Sequence, residues 1–287
     1  MRYSLSNDEL TIEVESLGAE LKSVRSDNHE FMWQGDNKYW GRTSPVLFPF
    51  VGSLKDKQFR YKGKTYPMSQ HGFARDLEHQ LIEKTDNRLL FELRSTEETL
   101  ARYPMEFVLN IGYELLGNSV KVTWTVSNPA QEDLHFSIGA HPGFNTPADK
   151  SGYRLYFEGL DEVHYHGNSQ TTGLSLREDK VLKLENSRIT MTSDFFDTYT
   201  YMIENRQTKA VGIEDDNGKM FVKVEFDIPL FALWSKEGAN APFICIEPWC
   251  GRCDAEDFAG ELQEREYDNV LKKDEVFNSS YLMTFYK

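Results

Sequence analysis

At 287 residues, with hydrophobic residues at 39% and charged residues at 27%, the chain holds enough apolar material for a sizeable core, which sets disorder aside. A formal net charge of −14 argues against nucleic acid or an anionic membrane surface as partner, since both need a basic footprint, although a local basic pocket stays open. No stretch approaches the ~18 apolar residues of a membrane span, the opening MRYSLSNDELTIEVES lacks the basic start and apolar run of a secretory leader, and Cys245, Cys250 and Cys253 form an odd, late cluster rather than a disulfide framework. A cytoplasmic protein is expected.

Strand-like alternation dominates the chain from the first segment, ELTIEVES, through RLLFELRS. In FVLNIGYEL, residues Phe107, Leu109, Ile111, Tyr113 and Leu115 share a face, and in SVKVTWTVSN so do Val120, Val122, Trp124 and Val126. Leu116-Gly117-Asn118 between them supplies turn chemistry, so the pair reads as an antiparallel hairpin. Further runs are LHFSIGA, YRLYFEG, VLKLENSRITM, MFVKVEFDI, FALWS, PFICIEPW and SSYLMTFYK. Helical periodicity is weak: ETLARYPM and FFDTYTYMIEN could carry a turn or two each, and CDAEDFAGELQEREYD reads as a short helix or a charged loop. About a dozen short strands, with no repeat and no Pro/Gly/Ser linker, predict an all-β fold over residues 1–287, a single large antiparallel β-sandwich with a few short helices.

Three segments break the alternation with residues a scaffold does not need. SQHGFARDLEH places His71 and Arg75 beside Gly72 in a loop or strand end. In LHFSIGAHPGFN, alternation points His135, Ser137, Gly139 and His141 to one face, with His141 at a strand end before Pro142-Gly143. In PFICIEPWCGRCD, Phe243, Cys245 and Glu247 share a face, and a carboxylate among apolar neighbours is costly to bury without a purpose or partner. A lone strand-end histidine is more often a satisfied structural side chain than a catalyst, so it is the combination that carries weight.

His71-Gly72-Phe73-Ala74-Arg75, His141-Pro142-Gly143-Phe144 and Ile246-Glu247-Pro248-Trp249, preceded by GRTSPVLFPFVG from Gly41 to Gly52, occur in this order. Together they resemble the aldose 1-epimerase (galactose mutarotase) family, particularly its LacX-like branch, over about residues 40–255. The resemblance implies a large galactose mutarotase-like sandwich with an open concave cleft. It implies Glu247 as general base, His141 as general acid and His71 as a substrate contact that assists proton movement. Arg42 and Arg75 match arginines used for substrate contact in some branches. Trp234 and Trp249 are candidate rings for a sugar's apolar face, with ordinary sandwich core as the competing reading of each.

Anomer exchange needs these residue types. The anomeric hydroxyl must lose a proton while the ring oxygen gains one; a carboxylate suits the first transfer and an imidazolium the second. Mutarotation already runs slowly in water, so no metal or cofactor is expected. Arg75 or His71 near the sugar hydroxyls is expected to bias Glu247 toward its ionised form. Cys250-Gly251-Arg252-Cys253 lacks the second ligand pair of a structural zinc site and the βαβ setting of a redox motif. The expected partner is a small sugar, a hexose or a hexose phosphate for which Arg42, Arg75 and Lys236 supply charge, on a monomer or homodimer. The rival reading is a catalytically silent carbohydrate-binding protein on the same scaffold. A hydrolase would want a second carboxylate paired with Glu247, and nothing in the sequence singles one out.

Overall fold

The computed structural model describes residues 1–287, and its strand pairs are antiparallel throughout. The expected hairpin is present: Val108–Leu116 pairs with Ser119–Ser127, Ile111 lying opposite Trp124. It sits inside a nine-stranded sheet whose order runs Arg188–Thr190, Arg154–Phe157, Ala210–Glu214, Met220–Phe226, Val276–Phe285, Ser119–Ser127, Val108–Leu116, Arg88–Arg94, Gln80–Lys84. A second large sheet, of eight strands, runs Ser175–Lys183, Glu162–Asn168, Tyr201–Ile203, Leu230–Trp234, Phe243–Cys250, Ile138–Ala140, Val46–Leu47, with Gly143–Asn145 also paired to Phe243–Cys250. A four-stranded N-terminal sheet from Arg2–Ser6 to His29–Glu30 and two small ribbons complete the β structure.

The two large sheets form a sandwich, because the apolar sides of their strands share one cluster of 61 buried residues. Ile111, Val122 and Trp124 enter it from the nine-stranded sheet, Ile244 and Ile246 from the eight-stranded one. Alternation then sends Phe243, Cys245, Glu247 and Trp249 to the opposite face of the Phe243–Cys250 strand. There they meet two smaller clusters, one with Trp33 and Ala241, the other with Leu47, Met202 and Cys253. This central strand is therefore buried on both faces.

The helical expectations are met in part. Glu97–Arg102 is a short helix whose N-terminus is closed by Thr96 and Thr99, each side chain accepting the other's backbone N–H. The FFDTYTYMIEN region instead ends in the strand Tyr201–Ile203, paired to Leu230–Trp234 and buried at all three positions, so no period-2 pattern marks it. The acidic 253–268 segment is mostly loop, with one turn of 3-10 helix at Leu262–Glu264.

Candidate active site

The register of the central strand brings the two principal candidates together. Gly139 lies opposite Trp249, and Gly143 opposite Cys245. Counting inward from either pair places His141 opposite Glu247, although the ladder is interrupted there. Pro142 and Pro248, one beyond each candidate, have no N–H to donate to it. Cross-strand neighbours hold their side chains close, and His141 Nε2 lies 3.3 Å from Glu247 Oε2. The contact completes no hydrogen bond, which leaves the buried Glu247 Oε2 without a partner, and on the far side of the imidazole the buried Nδ1 has none either.

His71 completes the cluster from another direction. Its imidazole stands nearly perpendicular to that of His141, ring centroids 5.6 Å apart. The backbone N–H of Gly52 donates to His71 Nδ1 at 3.0 Å, and the backbone N–H of His71 donates to the Gly52 carbonyl at 2.9 Å. With Nδ1 occupied as an acceptor, the neutral ring carries its proton on Nε2. The following residue must be glycine: Gly72 has φ +68°, and a Cβ there would lie 2.3 Å from the Phe48 carbonyl oxygen.

Burial governs the protonation of all three groups. It pushes the Glu247 carboxyl well above the usual carboxylate range, opposed by the neighbouring Trp249 indole. That indole favours the ionised form by proximity, yet its Nε1 makes no hydrogen bond of good geometry. Burial, then the positive charge of Arg75, lowers His141 to about 3. Burial also carries His71 well below the ordinary imidazole value, with His141, Arg75 and Arg42 acting the same way. The expected bias of Glu247 toward ionisation by Arg75 or His71 is not found. Arg75 donates instead to the Gln70 carbonyl at 2.8 Å and acts electrostatically on the histidines.

These groups open into a cleft of about 820 Å³ lined by His71, Arg75, His141, Trp234, Glu247 and Trp249, among others. A family sequence model described as aldose 1-epimerase matches residues 1–284. The chain belongs to the aldose 1-epimerase family. Protein LacX (chromosomal) of Lactococcus lactis subsp. lactis is 30% identical over 264 residues, 88% of each chain. A galactose mutarotase related enzyme from Lactobacillus acidophilus superposes with TM-score 0.94 at 32% identity, covering 100% of this chain and 98% of its own. A galactose mutarotase-like protein from Lactobacillus casei gives 0.91 at 27% identity, with both chains fully covered. The sandwich is thus a galactose mutarotase-like fold.

Within this aldose 1-epimerase framework, six of the seven sequence candidates line one cleft, and Arg42 does not. Its guanidinium instead donates to Asp76 Oδ1 at 2.7 Å. Arg75 does line the cleft, and its buried Nε–H makes no hydrogen bond, lying 3.9 Å from Asp76 Oδ2. Lys236 and Lys57 add two further cations to the lining. The Trp234 indole N–H donates to Glu237 Oε1 at 2.9 Å, which fixes that ring beside the cleft. Sequence reasoning missed Trp40, stacked on His141 at 4.6 Å, and the Asn168–Gly173 stretch of the cleft wall. Trp40 lies in a loop, where no alternation assigns a face. The polar segment after the Glu162–Asn168 strand carries no motif; its abrupt run of hydroxyl and amide residues was the available signal.

His141, Cys245 and Glu247 offer donor atoms that lie within 4.8 Å of one another. Burial holds the Cys245 thiol protonated, and Cys245 does not reach the cleft lining. No metal is assigned to this group.

Proposed function

We propose that the cleft catalyses mutarotation of an aldohexose, with Glu247 and His141 exchanging protons with the sugar. The observation that carries this reading is the 3.3 Å pair itself, buried at the cleft wall with Glu247 Oε2 lacking any hydrogen bond. Burial disfavours the ion pair and favours a carboxylic acid beside a neutral imidazole, two arrangements that share one proton and differ only in where it resides. Ring opening passes the anomeric hydroxyl proton onto the pair and another proton from the pair to the ring oxygen. The C1–O bond to the ring oxygen breaks, the C1 carbonyl forms, and the pair ends with the proton count it began with. Rotation about C1–C2 and reversal of the two transfers close the other anomer. One shared proton lets either group serve as acid or base in both directions.

His71 Nε2–H and the Arg75 guanidinium supply donors for sugar hydroxyls, while Trp234 and Trp249 supply ring surface. The chemistry needs no metal or cofactor. A phosphorylated hexose is a second reading, favoured by Lys57, Arg75 and Lys236 in the lining of a cleft on a strongly acidic protein. A silent sugar sensor is the less favoured alternative, because it has no use for an unsaturated buried carboxyl.

Optical rotation of freshly dissolved α-glucose and α-galactose, with saturation-transfer NMR on glucose 6-phosphate, tests the reading. Acceleration by the wild type that is lost in Glu247→Gln and His141→Asn, both folded, is expected. Binding of a sugar without acceleration would make the protein a sensor.

A further inference from the structure

The imidazole of the proposed pair is held in an unusual way. A histidine that exchanges protons through one ring nitrogen is ordinarily oriented by a hydrogen bond at the other. His141 Nδ1 has none of good geometry, and the only backbone group near enough to favour its charged form is the residue's own. Its ring is gripped by aromatic faces instead: the Trp40 indole lies parallel to it at 4.6 Å and 29°, while Trp234 meets it edge-on at 5.3 Å and 85°.

Trp40 is itself firmly placed. Its backbone N–H donates to Asp36 O at 2.9 Å, and its carbonyl accepts the Trp33 indole N–H at 2.8 Å. It also stacks on Phe243 at 5.6 Å. The chain near His141 makes room for this wall: a Cβ on Gly143 would lie 3.1 Å from Trp33 Cβ and 3.3 Å from Trp40 Cζ3. A substituted residue at 143 would push the indole away from the imidazole.

We propose that Trp40 is a positioning residue for His141: its indole face fixes the plane of the imidazole so that Nε2 meets Glu247, and it stabilises the imidazolium as that forms. The inference rests on the mutarotase reading for its kinetic consequence only. A cation within ~6 Å of an indole centroid is attracted to the ring face, more so when desolvated. The other groups facing His141 do not replace this. Arg75 and Arg42 oppose its positive charge, His71 is neutral, and Cys245 carries a protonated thiol. Glu247 is the carboxyl in contact with the ring, and burial favours its neutral form, while Glu237 is engaged by the Trp234 indole N–H.

The test compares Trp40→Leu with Trp40→Phe, which keeps a ring face of weaker quadrupole. In the leucine variant kcat is expected to fall about 3- to 30-fold, the loss of a typical cation–π contact, with KM nearly unchanged. Phenylalanine should recover most of that loss. In 15N spectra at neutral pH, the His141 ring should show one tautomer in the wild type and an averaged signal in the leucine variant. An unchanged His141 signal in Trp40→Leu overturns the proposal, and so does a loss confined to KM, which would make Trp40 a sugar platform. If Trp40→Leu does not fold, Trp40→Met, which fills the space without a ring face, takes its place with the same averaging expected, and an unmoved signal there rejects the idea. If the wild type accelerates no sugar, the mutarotase reading fails, while the spectra still judge Trp40.

Discussion

Two histidine–carboxylate pairs start from the same stretch of chain, His135 and His141, and end in different states. His135 Nδ1 and Asp268 Oδ2 share a hydrogen bond at 2.7 Å, and the Tyr103 hydroxyl donates to the His135 carbonyl at 2.5 Å. The pair ties the Leu134–Phe136 strand to its partner Asn269–Leu271, away from the cleft. His141 and Glu247 approach only to 3.3 Å, with no hydrogen bond completed. Both carboxyls are raised mainly by burial, but His135 opposes the shift at Asp268 through a hydrogen bond, while Glu247 has only the imperfectly aimed Trp249 indole. A pair that serves folding is joined through its hydrogen bond. The pair in the cleft completes no such bond, and the fold carries the cost of a buried carboxyl oxygen without a partner.

Exchanging the isosteres separates the two roles most sharply. Glu247→Gln is expected to slow mutarotation by roughly 10²–10⁴-fold. It should nonetheless melt no lower than wild type at neutral pH. The sign follows from proton linkage: a carboxyl raised in the folded state loses stability as pH climbs above its unfolded value, and glutamine has no charge to bury. A melting temperature well below wild type would mean that Glu247 is a structural partner after all.

The converse holds at the other pair. His135→Ala leaves Asp268 buried without its hydrogen bond and is expected to cost about 1.5–3 kcal/mol of stability, with the turnover rate unchanged in urea-free buffer. Equilibrium denaturation and polarimetry on the same sample decide it. A rate loss without a stability loss would erase the distinction between the pairs.

The pH profile sharpens the same contrast. With His141 lowered to about 3 and Glu247 raised, the pair holds its one proton over a wide window. Below the window both groups carry protons and no base remains; above it neither does and no acid remains. Turnover should therefore hold as the pH falls from neutrality to about 5, a span in which an ordinary histidine gains its proton, and should decline only on the alkaline side as the raised Glu247 carboxyl ionises. A loss on acidification with its midpoint near the unperturbed imidazole value would show that an exposed histidine, not this pair, controls the rate.

The sandwich was legible because half-buried strands alternate, as in Val108–Leu116 and Ser119–Ser127. Strands buried on both faces hid that period, and Tyr201–Ile203 passed for helix. Three-residue strands such as Arg188–Thr190 and Asn269–Leu271 are too short to show one, so twenty-five strands stand where about a dozen were expected. For the candidate site, His141 and Glu247 could be named from their motifs, and the proline after each now explains the gap in the ladder between them. Their opposition is a matter of register, which no single segment encodes. Trp40 was passed over beside Arg42 because a loop residue has no periodicity to reveal its neighbours.

Arg42 and Arg75 extend the comparison to the cleft rim with the smallest expected effects. Both arginines match the family resemblance, but only Arg75 lines the cleft, with burial and Arg42 lowering its guanidinium to about 10. Arg42 is spent on an ion pair with the half-exposed Asp76, a contact of the kind that contributes about 0–1 kcal/mol. Arg42→Ala should therefore leave kcat and KM close to wild type. Arg75→Ala removes a mostly buried guanidinium from the cleft lining and should raise KM about tenfold, the worth of one hydrogen bond to a charged donor. Arg75→Lys should not rescue it, because an ammonium cannot reproduce the guanidinium fork. If Arg42→Ala raises KM as much as Arg75→Ala, the Asp76 contact must break on substrate binding, and the rim is a moving part of the site.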